Sequence, residues 1–280
     1  MIACPWQLLK LPKMAMRSTT PPSAPPQSES EGYVDHLRIS TEPCQLPSRF
    51  QNENCCPYGR YLEKHGYDVW ADPHSFTYPQ HTTRRSVYPE EHHQTTWVAD
   101  RSIEFLNEHA SDEPFFLWTS FVDPHHPFTP PAPYDEMYTP SDMPLPKRSE
   151  DEEARWPEAY RRKYRATEGG HEAIGMSRLS DAEWQRIAAF YYGMMSLIDK
   201  QVGRILDVLR EKGIADDTVV VFTADHGEML GDHGLVFKGT TFEQVTRMPL
   251  ILSRASAAGG DGSPGRDVGD ADAGDRESTF

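Results

Sequence analysis

Residues 218–252 read TVVVFTADHGEMLGDHGLVFKGTTFEQVTRMPLIL, and this stretch carries the strongest signals for both the fold and the chemistry. Its first six residues are β-branched or aromatic and of strand length, which predicts a buried strand over 218–223. The strand stops just before Asp225, His226 and Gly227, so a carboxylate and an imidazole would be exposed side by side there. Such a pair suits a metal ion, although Asp and His in a loop also commonly cap the next helix.

The residues before this strand predict a long amphipathic helix over 184–213, because apolar side chains recur there at spacings of three and four. These positions are Ile187, Tyr191, Met194, Met195, Ile198, Val202, Ile205, Leu206 and Leu209. The same order occurs upstream, where 95–109 predict a helix and 114–122, PFFLWTSFV, predict a strand that stops at residues 123–127, DPHHP. Two helix–strand units predict an α/β fold with a largely parallel sheet, which binds ligands at the carboxyl ends of its strands.

The 280 residues are enough for an enzyme domain, but the two ends of the chain contain little that could be buried. Residues 18–31 read STTPPSAPPQSESE, and residues 253–280 are dominated by Gly, Asp, Ser and Ala. We therefore expect a disordered leader over 1–31, a folded part over 32–252 and a disordered tail over 253–280. Residues 128–183 have no sustained period and predict a long excursion with short helical pieces.

Charge and targeting signals exclude several classes of protein. A formal net charge of −15 argues against nucleic acid as a partner, because phosphate backbones are bound by clustered Lys and Arg. The longest apolar runs are far below the roughly 20 residues that span a bilayer. The N-terminal residues MIACPWQLLKLPKMAMR contain two prolines and no uninterrupted apolar segment, unlike a secretory signal. A cytoplasmic location is the default expectation, and a periplasmic or secreted one would require a start further upstream.

The cysteines offer no sign of a disulfide scaffold or a zinc site. Cys4, Cys44, Cys55 and Cys56 include one adjacent pair, which cannot easily bridge to itself, and no C-x-x-C spacing occurs. We expect all four to be ordinary thiols.

Several short motifs follow one another along the chain, and together they closely resemble the sulfatase family, a branch of the alkaline phosphatase superfamily. They are P-H-x-P-F at 124–128, Y-x(6)-D-x(3)-G at 192–203, D-[NH]-G at 225–227, G-x-H-G at 231–234, Lys238 and R-x-P-L-I at 247–251. The resemblance covers about residues 32–252. It implies an alkaline-phosphatase-like α/β fold, incomplete here, with a mostly parallel central sheet flanked by helices.

The resemblance also implies an activity, the metal-assisted hydrolysis of an organic sulfate monoester. Asp225 and His226 would ligate a divalent cation, usually Ca²⁺ in sulfatases. His125 and Lys238 would contact the sulfate oxygens or the departing alcohol. A cation, a lysine and a histidine that converge on one pocket would stabilise anionic oxygens and supply a proton. His126 is expected to be a spacer.

One feature leaves alternatives open. Imidazole is an unusual ligand for Ca²⁺, so Mn²⁺, Zn²⁺ and Mg²⁺ are alternative cations, and a phosphonate or phosphodiester hydrolase of the same superfamily is an alternative enzyme. His233 would serve only to orient its loop. In every version the expected partner is a small-molecule or saccharide ester, with no nucleic acid and no membrane span.

The sulfatase nucleophile lies in a C-x-P-S-R motif, which this chain does not contain. Residues 44–49, CQLPSR, have one residue too many between Cys and Pro, no pair of adjacent Asp precedes them, and G-K-x-H is absent. EGYVDHLRIS and YLEKHGYDVW instead resemble the middle region of the family. We therefore expect Cys44 to be an ordinary residue and this polypeptide to be the middle of a sulfatase with little or no turnover of its own. A non-catalytic sulfatase fragment is the corresponding alternative.

Overall fold

The structure, a computed structural model, describes residues 5–10, 35–39, 57–67, 83–110, 114–149, 151–165, 179–235 and 237–253. The predictions for the four cysteines, for most of the leader and for the tail beyond residue 253 lie outside these residues. In the part of the chain that is described, no helix is both long and apolar enough to cross a bilayer.

In the described part of the chain, five strands form one sheet at the centre of the fold. They are β1 (Pro5–Lys10), β2 (Asp35–Ile39), β3 (Phe115–Ser120), β4 (Thr218–Thr223) and β5 (Leu250–Ser253). The strand order is β2-β3-β1-β4-β5. β2 and β3 pair in parallel, whereas β1 is antiparallel to both β3 and β4, and β5 is antiparallel to β4. Because β3 and β4 are each antiparallel to β1, they point in the same direction.

The predicted α/β class is confirmed, but the sheet is mixed rather than mostly parallel. The difference is due to β5, which is antiparallel to β4, and to β1, which lies within the leader predicted to be disordered and inserts antiparallel between β3 and β4. The N–H and C=O groups along the facing edges of those two strands need hydrogen-bond partners. Residues 5–10 supply them on both sides, so the disorder prediction is wrong for these six residues.

Helices pack against the sheet and confirm the two longest predicted helical patterns. The helices are α1 (Pro57–Lys64), α2 (Gln94–Glu108), α3 (Glu152–Arg155), α4 (Glu158–Arg165), α5 (Asp181–Glu211) and α6 (Glu243–Thr246). α5 begins with a capping box in which Ser180 and Glu183 each accept a backbone N–H of the other. It ends before Gly213, whose φ of 65° is the left-handed conformation typical of a C-terminal cap.

The main core lies between α1, α2, α5 and β3. Its most deeply buried side chains include Leu62, Leu106, Phe115, Leu117 and Leu209. The apolar positions predicted for α5 are buried, except that Met195 and Leu206 are partly exposed. A second cluster joins the first half of α5 to the loops after β3 and β4, through Trp184, Tyr191, Phe128 and Phe237.

Residues 128–149 and 151–165 confirm the prediction of an excursion without long elements. They contain two short 3-10 turns, Tyr134–Glu136 and Pro140–Asp142, followed by α3 and α4. Hydrogen bonds from α5 hold residues 128–149 in place: Gln185 Nε2 donates to the Met143 carbonyl at 2.8 Å, and Ser196 Oγ lies 2.8 Å from Tyr138 Oη. This first part of the excursion is therefore ordered by lying against α5.

Candidate active site

The loops that follow β3 and β4 bring together two residues that are 113 positions apart in the sequence. We call the loop after β3 the histidine loop (residues 121–128) and the loop after β4 the lysine loop (residues 228–238). Lys238 Nζ lies 3.2 Å from His125 Nε2. The contact is possible because β3 and β4 point the same way, so their carboxyl ends lie at one edge of the sheet. The two predicted catalytic residues are thus neighbours.

A buried carboxylate fastens the histidine loop to the start of α2. Asp123 is 1% exposed, and it accepts hydrogen bonds from Thr95 Oγ1 at 2.5 Å and from Gln94 Nε2 at 2.9 Å. His93 Nδ1 lies 3.6 Å from the same carboxylate. Hydrogen bonds of this kind hold a buried charge in place. They therefore fix the position of the backbone from which His125 projects.

The hydrogen bonds of His125 assign its tautomer. Its Nδ1 lies 2.8 Å from the His126 carbonyl oxygen, which can only accept, so Nδ1 carries the hydrogen. The lone pair of the neutral ring is then on Nε2, where it accepts a hydrogen bond from the Lys238 ammonium group. Burial, followed by the positive charge of Lys238, lowers the pKa of His125. In this arrangement Lys238 is the charged donor and His125 is a neutral acceptor.

His126 lies in a stack of rings between the two loops. Its ring centroid is 4.0 Å from that of His125 and 4.1 Å from that of Phe237 in the lysine loop. Burial, and then the neighbouring His125 and Lys238, lower the pKa of His126 to about 2. The ring is therefore neutral at any physiological pH. Its contacts agree with the expectation that it is a spacer.

The two predicted metal ligands lie at the end of β4. His226 Nδ1 is 2.7 Å from the Gly227 carbonyl, so it carries the hydrogen and leaves the Nε2 lone pair available. That Nε2 is 3.6 Å from Asp225 Oδ2, and the Asp225 side chain is 60% exposed. Two ligand atoms that each lie about 2.0–2.2 Å from one cation are about as far from each other as Nε2 is from Oδ2 here. The pair therefore fits a cation as part of its ligand set, and no group of three or more His, Cys, Asp or Glu in the described ranges forms a fuller set.

Gly227 holds this pair close to the chain that follows it. Its N–H donates to the Val245 carbonyl at 2.8 Å, and a Cβ at this position would lie 1.9 Å from the Gln244 carbonyl oxygen. Only glycine allows the two backbone segments to approach so closely. The glycine of the D-H-G motif is therefore required by packing.

Comparison with known proteins gives the family of the chain. The family model described as Sulfatase matches residues 44–259. The chain belongs to the sulfatase family. It is 34% identical over 208 residues to an arylsulfatase of Clostridium perfringens, a match that covers 72% of this chain and 40% of the relative. A multifunctional alkaline phosphatase superfamily protein, PehA of Trinickia caryophylli, is also 34% identical and is covered over 39% of its length.

Solved structures give the same answer for the fold. The phosphonate monoester hydrolase of Agrobacterium radiobacter superposes with a TM-score of 0.64 at 26% identity, over 79% of this chain and 50% of that protein. The corresponding enzyme from Silicibacter pomeroyi gives a TM-score of 0.59 at 29% identity, over 72% of this chain and 42% of its own length. The sulfatase-family chain therefore spans half or less of the length of these relatives.

All four predicted site residues of this sulfatase-family chain fall within the matched region. The match starts at Cys44, which lies outside the described residues, so its assignment as an ordinary thiol stays a prediction. His233 is away from the His125–Lys238 contact: its ring stacks on Phe242 with centroids 4.2 Å apart, and its Nδ1 contacts the Glu152 carboxylate. It links the lysine loop to α3, and its role in orienting the loop stays a prediction.

Sequence reasoning missed two supporting residues, Asp123 and Glu228. Asp123 is the first residue of the polar cluster after β3, which was a usable signal. Glu228 follows the D-H-G motif directly, and its carboxylate accepts backbone N–H groups of Leu230 and Phe237. Both act on the loops and have no direct contact with the Lys238 ammonium group among the described hydrogen bonds.

The lowered pKa of His126 predicts a loss of stability in acid. Below the unfolded pKa of about 6.5 the unfolded chain binds a proton that the folded chain excludes, so stability falls as the pH drops. From pH 7 to pH 5 this single group should remove about 2 kcal/mol of unfolding free energy. In a His126→Gln variant the loss should be smaller by that amount. Urea denaturation at pH 7 and pH 5 measures the unfolding free energy of both proteins. An equal change in the two would contradict the lowered pKa of His126.

Proposed function

We propose that the edge of the sheet formed by the histidine loop and the lysine loop binds an organic sulfate monoester and contributes to its hydrolysis. The observation that carries the proposal is the 3.2 Å contact between Lys238 Nζ and His125 Nε2. Membership of the sulfatase family supports the same reaction class. A small-molecule or saccharide sulfate ester is the corresponding substrate class.

Lys238 is suited to binding the anionic group. Its ammonium group is positively charged and has three donors, and one of its hydrogen bonds goes to the neutral His125 Nε2. A sulfate oxygen can join or replace that acceptor and gains a charge-assisted hydrogen bond. The same charge stabilises the leaving oxygen as its bond to sulfur breaks.

His125 is suited to a proton transfer that depends on the substrate. Without an anion, burial and Lys238 lower the pKa of His125 and keep Nε2 unprotonated. The negative charge of a bound sulfate ester would act in the opposite direction and raise this pKa. Nε2 could then carry a proton and donate it to the departing alcohol oxygen.

Asp225 and His226 would hold a divalent cation beside this pair. His226 donates its Nδ1 hydrogen to the Gly227 carbonyl, a supporting contact commonly made by metal-binding histidines. A bound cation would add positive charge that stabilises sulfate oxygens. Ca²⁺ is the cation expected from the family, and because imidazole is an unusual Ca²⁺ ligand, Mn²⁺, Zn²⁺ and Mg²⁺ are the alternatives.

Replacing Asp225 with Asn tests the cation site. The amide keeps the size of the side chain and loses its charge, so the affinity for Mn²⁺ or Ca²⁺ should fall by about 10-fold or more. Isothermal titration of each metal into the two proteins measures the difference. Asp216→Asn removes an exposed carboxylate before β4 and is the matched control. Equal losses of metal affinity in the two variants would contradict the assignment of Asp225 as a metal ligand.

A second candidate function is hydrolysis of a phosphonate monoester, favoured by the superposition on two phosphonate monoester hydrolases. The two candidate functions predict different anion preferences at the same site. Inorganic sulfate and methylphosphonate are titrated into the chain at constant ionic strength, with chloride as the background anion. Tighter binding of sulfate supports the sulfatase reaction, and tighter binding of methylphosphonate supports the alternative. Binding of neither above the chloride background would overturn both.

A further inference from the structure

Glu228 closes the lysine loop from inside. Its Oε1 accepts the backbone N–H of Leu230 at 3.3 Å and also that of Phe237. Two backbone hydrogen bonds run beside it, from Met229 N to the Phe237 carbonyl at 3.2 Å and from Gly231 N to the Leu235 carbonyl at 2.9 Å. One carboxylate oxygen thus joins the two ends of the loop, directly before Lys238.

Phe237 is the residue through which this closure reaches the site. It has a φ of 60°, in the left-handed region that residues with a side chain rarely adopt. Such a conformation persists only where surrounding contacts hold it. Here its N–H is bonded to Glu228 and its ring, 5% exposed, lies 4.1 Å from His126. The left-handed turn at Phe237 sets the direction in which Lys238 leaves the loop.

A series of contacts connects Glu228 to both members of the His125–Lys238 pair. Glu228 holds the Phe237 backbone, the Phe237 ring packs on His126, and His126 stacks on His125 at 4.0 Å. His125 in turn accepts the hydrogen bond of Lys238 at 3.2 Å. A change at Glu228 therefore reaches both members of the His125–Lys238 pair, one through the backbone and one through the rings.

We propose that Glu228 is a positioning residue that fixes the Lys238 ammonium group against His125 by holding the Phe237 backbone. The proposal rests on the proposed function in so far as this pair is the sulfate-binding pair. Because Glu228 acts as a hydrogen-bond acceptor, the position of its side-chain oxygen determines this effect and the charge of the side chain does not. Glu228→Gln keeps an acceptor oxygen at the same distance from the backbone, whereas Glu228→Ala removes it.

The test compares three variants by inorganic sulfate titration and by the ¹⁵N chemical shift of the His125 ring nitrogens. Glu228→Ala should weaken sulfate binding by about 10-fold or more, since a displacement of about 1 Å at a reacting group has large effects. It should also shift the His125 Nε2 signal before any sulfate is added. Glu228→Gln should stay within about 2-fold of the parent, far less than the tenfold that corresponds to 1.4 kcal/mol. Glu243→Ala, at an exposed glutamate of α6, is the matched control.

The outcomes separate this proposal from the proposed function. If the parent chain does not bind sulfate, the proposed function fails, and the His125 signal still reports whether Glu228 sets the contact. An unchanged His125 signal in a folded Glu228→Ala variant overturns the proposal. If Glu228→Ala does not fold, Glu228→Asp replaces it, because this side chain is one methylene shorter and should give the same shift. Loss of sulfate binding in Glu228→Gln equal to that in Glu228→Ala also overturns it.

Discussion

Replacement of Lys238 by methionine is expected to weaken the binding of inorganic sulfate by about 100-fold, which corresponds to about 2.7 kcal/mol. Methionine keeps an unbranched apolar side chain and removes the only charged donor described next to His125 Nε2. The loss of a charge-assisted hydrogen bond to an anion is the physical reason. Isothermal titration at constant ionic strength measures the two affinities.

A matched lysine elsewhere controls for the change in net charge. Lys64 is exposed in the last turn of α1, away from the two site loops. Lys64→Met alters the overall charge by the same amount, and it should leave sulfate affinity within about 2-fold because long-range surface charges are screened by salt. If the two variants lose affinity equally, Lys238 has no special role and sulfate is attracted by net charge alone.

Replacement of Gly227 by alanine is expected to have the largest effect on stability, about 3 kcal/mol or more. The added Cβ would lie 1.9 Å from the Gln244 carbonyl oxygen, where both partners are backbone and neither can move independently. The hydrogen bond from Gly227 N to the Val245 carbonyl at 2.8 Å would be strained as well. Urea denaturation measures the unfolding free energy.

Gly203 provides the control for this change. It lies within α5, and an added Cβ would have no atom of another described segment within 4 Å. Gly203→Ala should therefore stabilise the chain by about 0.5–1 kcal/mol, because alanine is the better helix former. A Gly227→Ala variant as stable as the parent would show that the close approach of the D-H-G turn and α6 is not required.

The elements that the sequence predicts well are those with a local signal. α5 and α2 follow from the spacing of their apolar residues, and β3 and β4 from short apolar runs that stop at polar clusters. β1 was missed because its partners are more than a hundred residues away and its own six residues sit in a Pro- and Ser-rich leader. Local composition contains no information about such a pairing, and β1 together with β5 makes the sheet mixed rather than parallel.

The candidate site also contains residues with a local sequence signal and residues without one. His125, Lys238, Asp225 and His226 are side chains in recognisable motifs, so sequence alone selects them. Their supports are different in kind, since Asp123 is held by Thr95, 28 residues upstream, and Glu228 bonds to backbone amides of its own loop. A backbone N–H is present at almost every position, so no residue type marks it as a partner.

A double-mutant cycle on sulfate affinity tests the central claim, that His125 and Lys238 act on the anion as one unit. The parent, His125→Gln, Lys238→Met and the double variant are titrated with inorganic sulfate under identical conditions. Because the two side chains are in contact at 3.2 Å, we predict a coupling of about 1 kcal/mol or more, so that the double variant binds about as weakly as Lys238→Met alone. Strictly additive losses, or no loss in either single variant, would contradict the account.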